Sequence, residues 1–531
     1  MNQLLFPRNR ELEICRNLQT ENIPISRSAR FLAGITAGYA NILANILYAL
    51  ASIPIALHYL PKEEFGLWAL ALQITGYLKF LEFGMSDAVY RHIADHINAE
   101  DRSQFGTYMS TSAIAYTVQG AIIVCCGLML YFFADSLFAI PRQLSKDFSN
   151  ILLLVSLVIG ISVSIKTLGA PLWAYQRMDV IQYGYAISTT LSLCILWLSL
   201  ANDVGIYSFV IALAPSPFIM ALTHYFVCAR NRYYPAWGDW RRPTIRIWKQ
   251  LFGMGRDAFL IQVGLQIVNA SQIIVLARCV GLGAAATYAV ASKVYALGLI
   301  VLANPISAAG PGLTDLLNRG QHERFKTRGQ QLIIITLSCS SVISIGIAAA
   351  NRAFVNLWTG NEITWSWKCD ILLAILLILK SHNAGRLTFF GITKTFHKIR
   401  WLYLTEAIGF LSLSIPMAGL LQIEGVLLAA IISNIATTTP ILSSLGREIL
   451  GIHSGMRKKL LFILLMISAA ATTNAVSYKY NLGSGLTLII SACLLGGLTC
   501  AIWALILNND LRQEISARAR ALFIKILILR Q

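Results

Sequence analysis

Charge is scarce in this sequence, and negative charge is the scarcer kind. Only 13% of the 531 residues are charged, and 25 aspartates and glutamates stand against 43 lysines and arginines. A soluble globular domain carries about 25% charged residues. With 56% hydrophobic residues and a mean hydropathy of +0.63, the chain has too little polar surface to face water on all sides. The composition excludes a soluble globular protein and predicts one that uses lipid as its solvent.

Motifs for enzyme chemistry are missing as well. The sequence has no GxxxxGK[ST] loop and no HExxH pair, which are typical of ATPases and zinc proteases. Its ten cysteines show neither CxxC nor metal-ligand spacing. The two longest predicted outer loops, 134–148 and 351–368, are too short for a soluble catalytic domain. We therefore predict no catalytic residues, no metal site, no cofactor and no enzyme activity.

Long apolar runs fill most of the chain. Fourteen of them have close to the ~20 residues that a helix needs to cross ~30 Å of hydrocarbon, whereas membrane β-strands would be about half as long and would alternate in polarity. The predicted fold class is all-α: a polytopic membrane protein with about fourteen transmembrane helices. The shortest gaps, 201–204 and 421–423, are where two runs could form one span. The runs lie at 31–57, 64–84, 107–133, 149–170, 180–200, 205–228, 257–277, 286–309, 330–350, 369–390, 400–420, 424–445, 459–477 and 483–506.

The basic residues orient these spans. Seven lysines and arginines fall in predicted outer loops, five within spans, and the rest in stretches that are cytoplasmic if the amino terminus is inside. This bias follows the positive-inside rule, so we predict a multi-pass protein of the cytoplasmic (inner) membrane with both termini cytoplasmic. Basic residues beside anionic membrane lipids explain the net charge of +18 without nucleic acid as a partner. Residues 1–30 lack the apolar region of a cleaved signal peptide.

An internal repeat is visible at a shift of 220 residues. Trp68 and Ala69 fall on Tyr288 and Ala289, and loop lengths agree over more than a hundred positions. Six spans per repeat predict two pseudo-symmetric lobes in parallel orientation. The predicted domains are a cytoplasmic tail (1–30), an N-lobe of helices 1–6 (31–228), a cytoplasmic linker with an amphipathic helix (229–256), a C-lobe of helices 7–12 (257–446), helices 13–14 (447–509), and an amphipathic C-terminal tail (510–531). Both amphipathic segments are expected to lie flat at the inner interface.

Two spans carry polar stripes at helical spacing. The first has Asn41, Asn45, Tyr48 and Ser52 on one face, and the seventh has Gln262, Gln266 and Asn269. An amide that faces hydrocarbon is costly, so both stripes should point at the lobe interface or at water. One interpretation is hydrogen bonding that only joins helices. The other, which the matching positions in the two lobes favour, is a hydrophilic central cavity that binds substrate.

Five cations lie within predicted spans: Lys79, Lys166, Lys293, Lys380 and Arg386. Ionisable groups at this depth are functional candidates, although Lys79 is close enough to a cytoplasmic end to reach the interface. Lys166 and Arg386 are 220 residues apart and so are symmetry mates. A cavity with several cations and few acids suits a polyanionic substrate, which makes all of these except Lys79 candidate substrate contacts.

Carboxylates are rarer within the spans. Glu82 and Asp87 lie near the inner end of the second span, where we predict structural pairing with Arg91. Glu406, in the eleventh span, is the candidate ion-coupling residue. The alternative for Glu406 is a carboxylate that is only solvated or hydrogen-bonded.

The stretch HYLPKEEFGLWALALQITGYLKFLEFGMSDAVYRHIA, from His58 to Ala94, resembles the early region of bacterial polysaccharide flippases of the O-antigen type. These belong to the superfamily of multidrug, oligosaccharidyl-lipid and polysaccharide exporters. Glu64-Phe65-Gly66 at the start of the second helix and Glu82-Phe83-Gly84 at its end carry the likeness.

This resemblance implies a MATE-like fold, a role in lipopolysaccharide or other polysaccharide biosynthesis, and alternating access. A lipid-linked oligosaccharide would load its pyrophosphate and sugars into a cationic cavity from the inside and leave outside, while its polyprenyl tail stays in lipid. Glycan polymerase and chain-length machinery are further candidate partners.

Two other functions remain open at this point. An ion-coupled exporter of small organic cations would need acids in the cavity. A membrane glycan polymerase or ligase would need a large outer loop with clustered arginine and histidine, which this sequence does not have.

Overall fold

The described part of the chain is built from α-helices. The computed structural model describes residues 27–82, 85–96, 102–138, 140–175, 177–253, 256–393, 395, 398–450, 455–480 and 483–505. Within these residues it has no β-strand, which confirms the all-α fold class. The predicted C-terminal tail and all but the last residues of the predicted N-terminal tail lie outside them.

The N-terminal half runs from the first helix to the end of the sixth predicted span. Short 3₁₀ turns at Lys79–Glu82, Lys166–Gly169 and Gly205–Tyr207 interrupt it. Its helices are α1 (Arg27–Tyr59), α2 (Lys62–Leu78), α3 (Met85–His96), α4 (Arg102–Phe138), α5 (Arg142–Ser164), α6 (Ala170–Ala174), α7 (Met178–Ala201), α8 (Ser208–Leu213) and α9 (Pro215–Arg230).

The linker and the C-terminal half follow. A linker helix, α10 (Ile245–Gly253), precedes α11 (Arg256–Cys279). The remaining helices are α12 (Leu282–Ala291), α13 (Lys293–Asn318), α14 (His322–Trp358), α15 (Trp367–Ile392), α16 (Leu402–Ala436), α17 (Thr438–Leu450), α18 (Gly455–Lys479) and α19 (Ser484–Leu505).

Many of these helices can cross a bilayer. Nine of the described helices are long and apolar enough, and a tenth crossing forms if α12 and α13, which meet at a bend of 44°, count as one span. The multi-pass architecture is thereby confirmed, whereas the count of fourteen stays a prediction.

The longest of these spans contains two predicted helices. It covers Leu402–Glu448, 47 residues, which is roughly 70 Å at 1.5 Å per residue and more than twice the hydrocarbon thickness. Gln422 breaks it with φ 50° and ψ −125°. The break falls in the gap at 421–423 that the sequence predicts between helices 11 and 12.

Small residues hold α4 and α5 together in the N-terminal half. A Cβ atom on Gly120 would overlap the carbonyl oxygen of Gly160, and one on Gly127 would overlap the side chain of Ser156. Small side chains let helix backbones approach closely in lipid, where dispersion contacts replace the hydrophobic effect as the driving force.

The two halves meet where α2 packs against α11 and α12. A Cβ atom on Gly66 of α2 would overlap the carbonyl oxygen of Leu282 at the start of α12. Farther along α2, the hydroxyl groups of Tyr77 and Ser271 of α11 are 2.7 Å apart. These contacts join the halves at the end of α2 that the basic residues assign to the outside.

A second connection between the halves depends on a proline. Pro54 in α1 has no N–H, so the carbonyl oxygen of Leu50 four residues earlier lacks its helical donor. The indole N–H of Trp358, at the end of α14, donates to that oxygen at 2.8 Å. A side chain from the C-terminal half thus supplies the hydrogen bond that the proline removes.

The linker folds back on the N-terminal half. In α10, Leu251 is buried and Trp248 packs against residues of α3 and α4, while the backbone N–H of Thr244 donates to Thr111 of α4 at 3.2 Å. Trp237 is 97% exposed. An exposed tryptophan beside Arg241 and Arg242 fits the predicted interfacial placement, which stays a prediction.

Candidate functional site

A cavity of about 530 Å³ lies between the two predicted lobes. It is lined from one side by α1, α2 and α8 and from the other by α11, α12 and α13. The wall is mixed: aromatic and aliphatic side chains alternate with hydroxyl and amide groups, and none of its described lining residues is acidic. The polar residues in the lining are Tyr48, Ser52, Gln73, Asn269, Gln272, Tyr288, Ser292, Lys293 and Tyr295.

Lys293 supplies the positive charge of this cavity. It is the first residue of α13, directly after the bend that separates this helix from α12. Its side chain is half-buried, and no hydrogen bond or ion pair joins it to another residue that the structure describes. An ammonium group without a partner at a helix N-terminus attracts an anion with both its own charge and the helix dipole.

The polar stripe of α1 divides between two environments. Tyr48 and Ser52 reach the cavity. Asn41 instead donates to Oε1 of Gln182 on α7 at 2.7 Å, and Asn45 donates to Oδ1 of Asn41 at 2.7 Å. The inner part of the stripe therefore joins helices, and the outer part lines the cavity.

The stripe of α11 behaves similarly. Asn269 is exposed and lines the cavity, whereas Gln262 is exposed and Gln266 half-buried away from it. The stripe continues to Ser271 and Gln272, and Gln272 accepts a hydrogen bond from the hydroxyl of Tyr288. Continuing the spacing by three residues from Asn269 would have found Gln272 in the sequence.

Lys166 lies elsewhere, at the end of α5. Its Nζ is 2.5 Å from a carboxylate oxygen of Glu82 and donates to Ser86 at 3.1 Å. The described partner of Glu82 is therefore Lys166 and not the predicted Arg91, because the 3₁₀ turns after α2 and α5 bring the two groups together. The side chains of Asp87, Arg91 and Lys79 lie outside the described residues.

Lys380 and Glu406 form a buried ion pair inside the C-terminal half. Nζ of Lys380 on α15 is 3.1 Å from Oε1 of Glu406 on α16, and the side chains are 9% and 0% exposed. Asn434 donates to the same carboxylate at 2.9 Å, and the hydroxyl of Thr438 also donates to it. Three donors satisfy this carboxylate, as burial of a charge requires.

Arg386 is also buried, with 3% exposure. Its Nη1 is 3.4 Å from the carbonyl oxygen of His382, one turn earlier on α15, and its Nε has no described partner. The structure thus brings Lys293 together with Tyr48, Ser52 and Asn269, and distributes Lys166, Lys380 and Arg386 over three other places. Their assignment as substrate contacts stays a prediction, as does the ion-coupling role of Glu406.

Fold and cavity together define a helical membrane protein built like known exporters, with an aqueous, cationic space between its halves. The chain belongs to the family described as polysaccharide biosynthesis protein, whose family model matches residues 34–316. The predicted family is thereby confirmed. No curated protein matches the sequence.

Solved structures share the fold at low sequence identity. A multidrug resistance MATE family transporter in the inward-facing conformation is 17% identical, with a TM-score of 0.60 over 80% of this chain and 95% of its own. The lipid II flippase MurJ, in an inward closed conformation, is 13% identical, with a TM-score of 0.61 over 88% and 98%. An outward-facing MATE family transporter is 17% identical, with a TM-score of 0.55 over 86% and 99%.

Proposed function

We propose that the protein flips a lipid-linked oligosaccharide, carried on polyprenyl pyrophosphate, across the cytoplasmic membrane by alternating access. One observation carries this proposal: the cavity between the halves holds an unpaired lysine and no described acidic lining residue. Such a cavity attracts an anion and repels an organic cation. Membership in the polysaccharide biosynthesis family supports a glycan as the rest of the substrate.

The cavity chemistry fits a pyrophosphate with sugars attached. Lys293 contributes charge, and the hydroxyl and amide groups of Tyr48, Ser52, Asn269 and Gln272 contribute donors and acceptors for phosphate oxygens and sugar hydroxyls. Moving such a head group through hydrocarbon without these partners would cost many kcal/mol. The polyprenyl tail can stay in lipid because it is already apolar.

Contacts between the halves provide the closed outer side of an alternating-access cycle. The close approach of Gly66 to Leu282 and the hydrogen bond from Trp358 to Leu50 both lie at the predicted outer ends of their helices. The higher TM-score with the inward-facing than with the outward-facing MATE transporter agrees with this state. Opening to the outside would separate both contacts, and the bend before Lys293 offers a hinge.

Glu406 is the proposed site of ion coupling. Its carboxylate, the amide oxygen of Asn434 and the hydroxyl of Thr438 are oxygens of the kind that bind a proton or Na⁺. The ammonium of Lys380 occupies the position beside the carboxylate, so binding of a cation would displace it. Charge exchange at this pair would then accompany the rearrangement of α15 and α16.

The test is replacement of Lys293. In a strain whose own copy is deleted, Lys293→Ala should abolish the appearance of lipid-linked glycan on the outer leaflet, measured by its accessibility to an added lectin or glycosidase in spheroplasts. Lys293→Arg should retain most of it because the charge is kept. Lys146→Ala, which removes an exposed lysine of the loop before α5, is the matched control. Undiminished outer glycan in Lys293→Ala, with membrane levels equal by immunoblot, would refute the assignment of the cavity.

A small-molecule exporter is the remaining alternative. It predicts that the deletion strain becomes sensitive to cationic dyes and that Lys293→Ala leaves resistance unchanged. Growth inhibition by such dyes, measured beside outer glycan, separates the two functions.

A further inference from the structure

A second and larger cavity, of about 710 Å³, lies entirely within the C-terminal half. The end of α14, the start of α15, the break in α16 and the end of α18 surround it. The distribution of basic residues places all four at the outer side of the membrane. Ligand pockets for small molecules are typically about 300–1,000 Å³, so its volume is that of a binding pocket. Its position separates it from the cavity around Lys293.

The lining of this outer pocket combines aromatic rings with polar groups of both charge signs. Trp365, Trp367 and Tyr478 contribute the rings, and the guanidinium of Arg352 lies 4.6 Å from the centre of the Tyr478 ring. Glu424 contributes a carboxylate that accepts a hydrogen bond from Ser366 at 3.1 Å. The further polar lining residues are Asn356, Asn361, Thr364, Lys368 and Gln422.

This mixture matches a sugar better than an ion or a lipid tail. A pyranose has an apolar C–H face that packs on aromatic rings and a rim of hydroxyls that both donate and accept hydrogen bonds. Arg352 and Lys368 can donate, Glu424 can only accept, and the amides can do both. A polyanion would be repelled by Glu424, and an acyl chain would leave these polar groups without partners.

One buried carboxylate holds two of these lining residues in place. Asp370 is completely buried and accepts hydrogen bonds from the indole N–H of Trp365 at 2.6 Å and from the backbone N–H of Arg352 at 3.0 Å. Asn351 and Asn474 donate to it as well, each at 2.8 Å. Groups that position a binding residue from behind in this way make a pocket rigid before its ligand arrives.

The rim of the outer pocket is conformationally unusual. Asn361 has φ 70° and Gln422 has φ 50°, and neither is a glycine. Such left-handed backbone at a residue with a side chain costs of order 1–3 kcal/mol and concentrates at ligand sites. Both residues line the pocket.

We infer that the outer pocket binds one or two pyranose residues of a glycan on the outer side of the membrane. The inference rests on the proposed function for the origin of the glycan, and it adds a site distinct from the cavity around Lys293. It also gives α18, a helix beyond the two six-helix lobes, a part in recognition, because α18 provides Tyr478 to the lining and Asn474 to the Asp370 cluster. A sugar held there would draw the head group outward once the lobes open.

Saturation-transfer NMR on the full-length protein in nanodiscs tests this inference. The probe is the repeat-unit oligosaccharide of the host polysaccharide, released from its lipid by mild acid and dephosphorylated. Ring protons of the sugar should receive saturation from the wild-type protein. Trp367→Ala and Glu424→Gln should each weaken binding about tenfold, the loss expected for a central aromatic or charged contact. Trp237→Ala, which removes the exposed tryptophan of the linker, should bind like the wild type.

Asp370→Asn tests positioning by a separate readout. The near-ultraviolet circular dichroism of tryptophan should change as Trp365 loses its carboxylate partner, and binding should weaken less than in Trp367→Ala.

Three outcomes separate this inference from the proposed function. No saturation transfer to the wild type, or equal transfer to Trp367→Ala and Glu424→Gln in monodisperse preparations, overturns the sugar site even if Lys293→Ala abolishes export. Binding that depends on Trp367 while Lys293→Ala still exports glycan upholds the sugar site and overturns the role of the cavity. Binding unaffected by Lys293→Ala, with export lost, supports both.

Discussion

The two halves of the molecule place opposite chemistry at equivalent positions. Lys380 and Glu406, which form the buried ion pair of the C-terminal half, correspond under the predicted shift of 220 residues to Gly160 and Ala186 of the N-terminal half. Gly160 is where the backbones of α4 and α5 come closest. One half thus spends this position on a charge network and the other on tight packing. The comparison indicates that ion-dependent movement belongs to the C-terminal half and that the N-terminal half is the more rigid body.

The largest expected effect comes from breaking the ion pair. Glu406→Ala leaves the ammonium of Lys380 buried without a counter-charge, which costs about 3–5 kcal/mol. We expect a strong fall in melting temperature, measured by fluorescence-detected size-exclusion chromatography. The double variant Glu406→Leu with Lys380→Met removes both charges and should recover most of the stability but none of the transport. A double variant as unstable as the single one would contradict the ion-pair explanation.

Overpacking the equivalent site in the N-terminal half should cost less. Gly160→Leu forces α4 and α5 apart, and overpacking costs typically about 1–3 kcal/mol. Gly38→Leu is the control, since no atom lies within 4 Å of a Cβ placed there. The same melting assay should show a clear loss for Gly160→Leu and little for Gly38→Leu. Equal losses would mean that the close approach of α4 and α5 contributes nothing specific.

The ion pair between Lys166 and Glu82 should contribute less again. Its side chains are 33% and 18% exposed, and partly exposed pairs contribute about 0–1 kcal/mol. Lys166→Ala is therefore expected to melt within a few degrees of the wild type. If it destabilises as much as Glu406→Ala, exposure does not explain the difference between the two pairs.

The smallest effect on stability is expected at Lys293. Its ammonium has no described partner to lose, so Lys293→Met should leave the melting temperature nearly unchanged, within the ~0.5 kcal/mol typical of substitutions outside packed or paired sites. The same variant should lose outer glycan. Stability and transport would then separate at Lys293 and coincide at Glu406, and a large destabilisation by Lys293→Met would remove that contrast.

Much of the architecture could be predicted from the sequence because hydrophobic length is a local property. The all-α class and the break at 421–423 needed only run lengths and gaps, and Lys293 and Asn269 needed only the cost of polar groups in lipid. The pairings could not be predicted, because helix tilt and rotation are set by packing between distant segments.

The symmetry argument shows the same limit. It makes Lys166 and Arg386 equivalent, yet their surroundings differ because the position equivalent to Glu82 is Leu302. Arg386 therefore has no carboxylate at the place where Lys166 has one. The outer pocket escaped prediction for another reason: its lining comes from four separate segments, and no single stretch of the sequence carries a recognisable pattern for it.

The proline in α1 has a genetic consequence. Because Pro54 removes the donor that Leu50 would otherwise have, the indole N–H of Trp358 is needed only as long as the proline is there. Pro54→Ala gives α1 its own donor, after which Trp358→Phe should be nearly silent. Alone, Trp358→Phe would leave an orphaned carbonyl in lipid. The two positions are therefore expected to show epistasis across the lobe boundary, each substitution's effect depending on which residue occupies the other site.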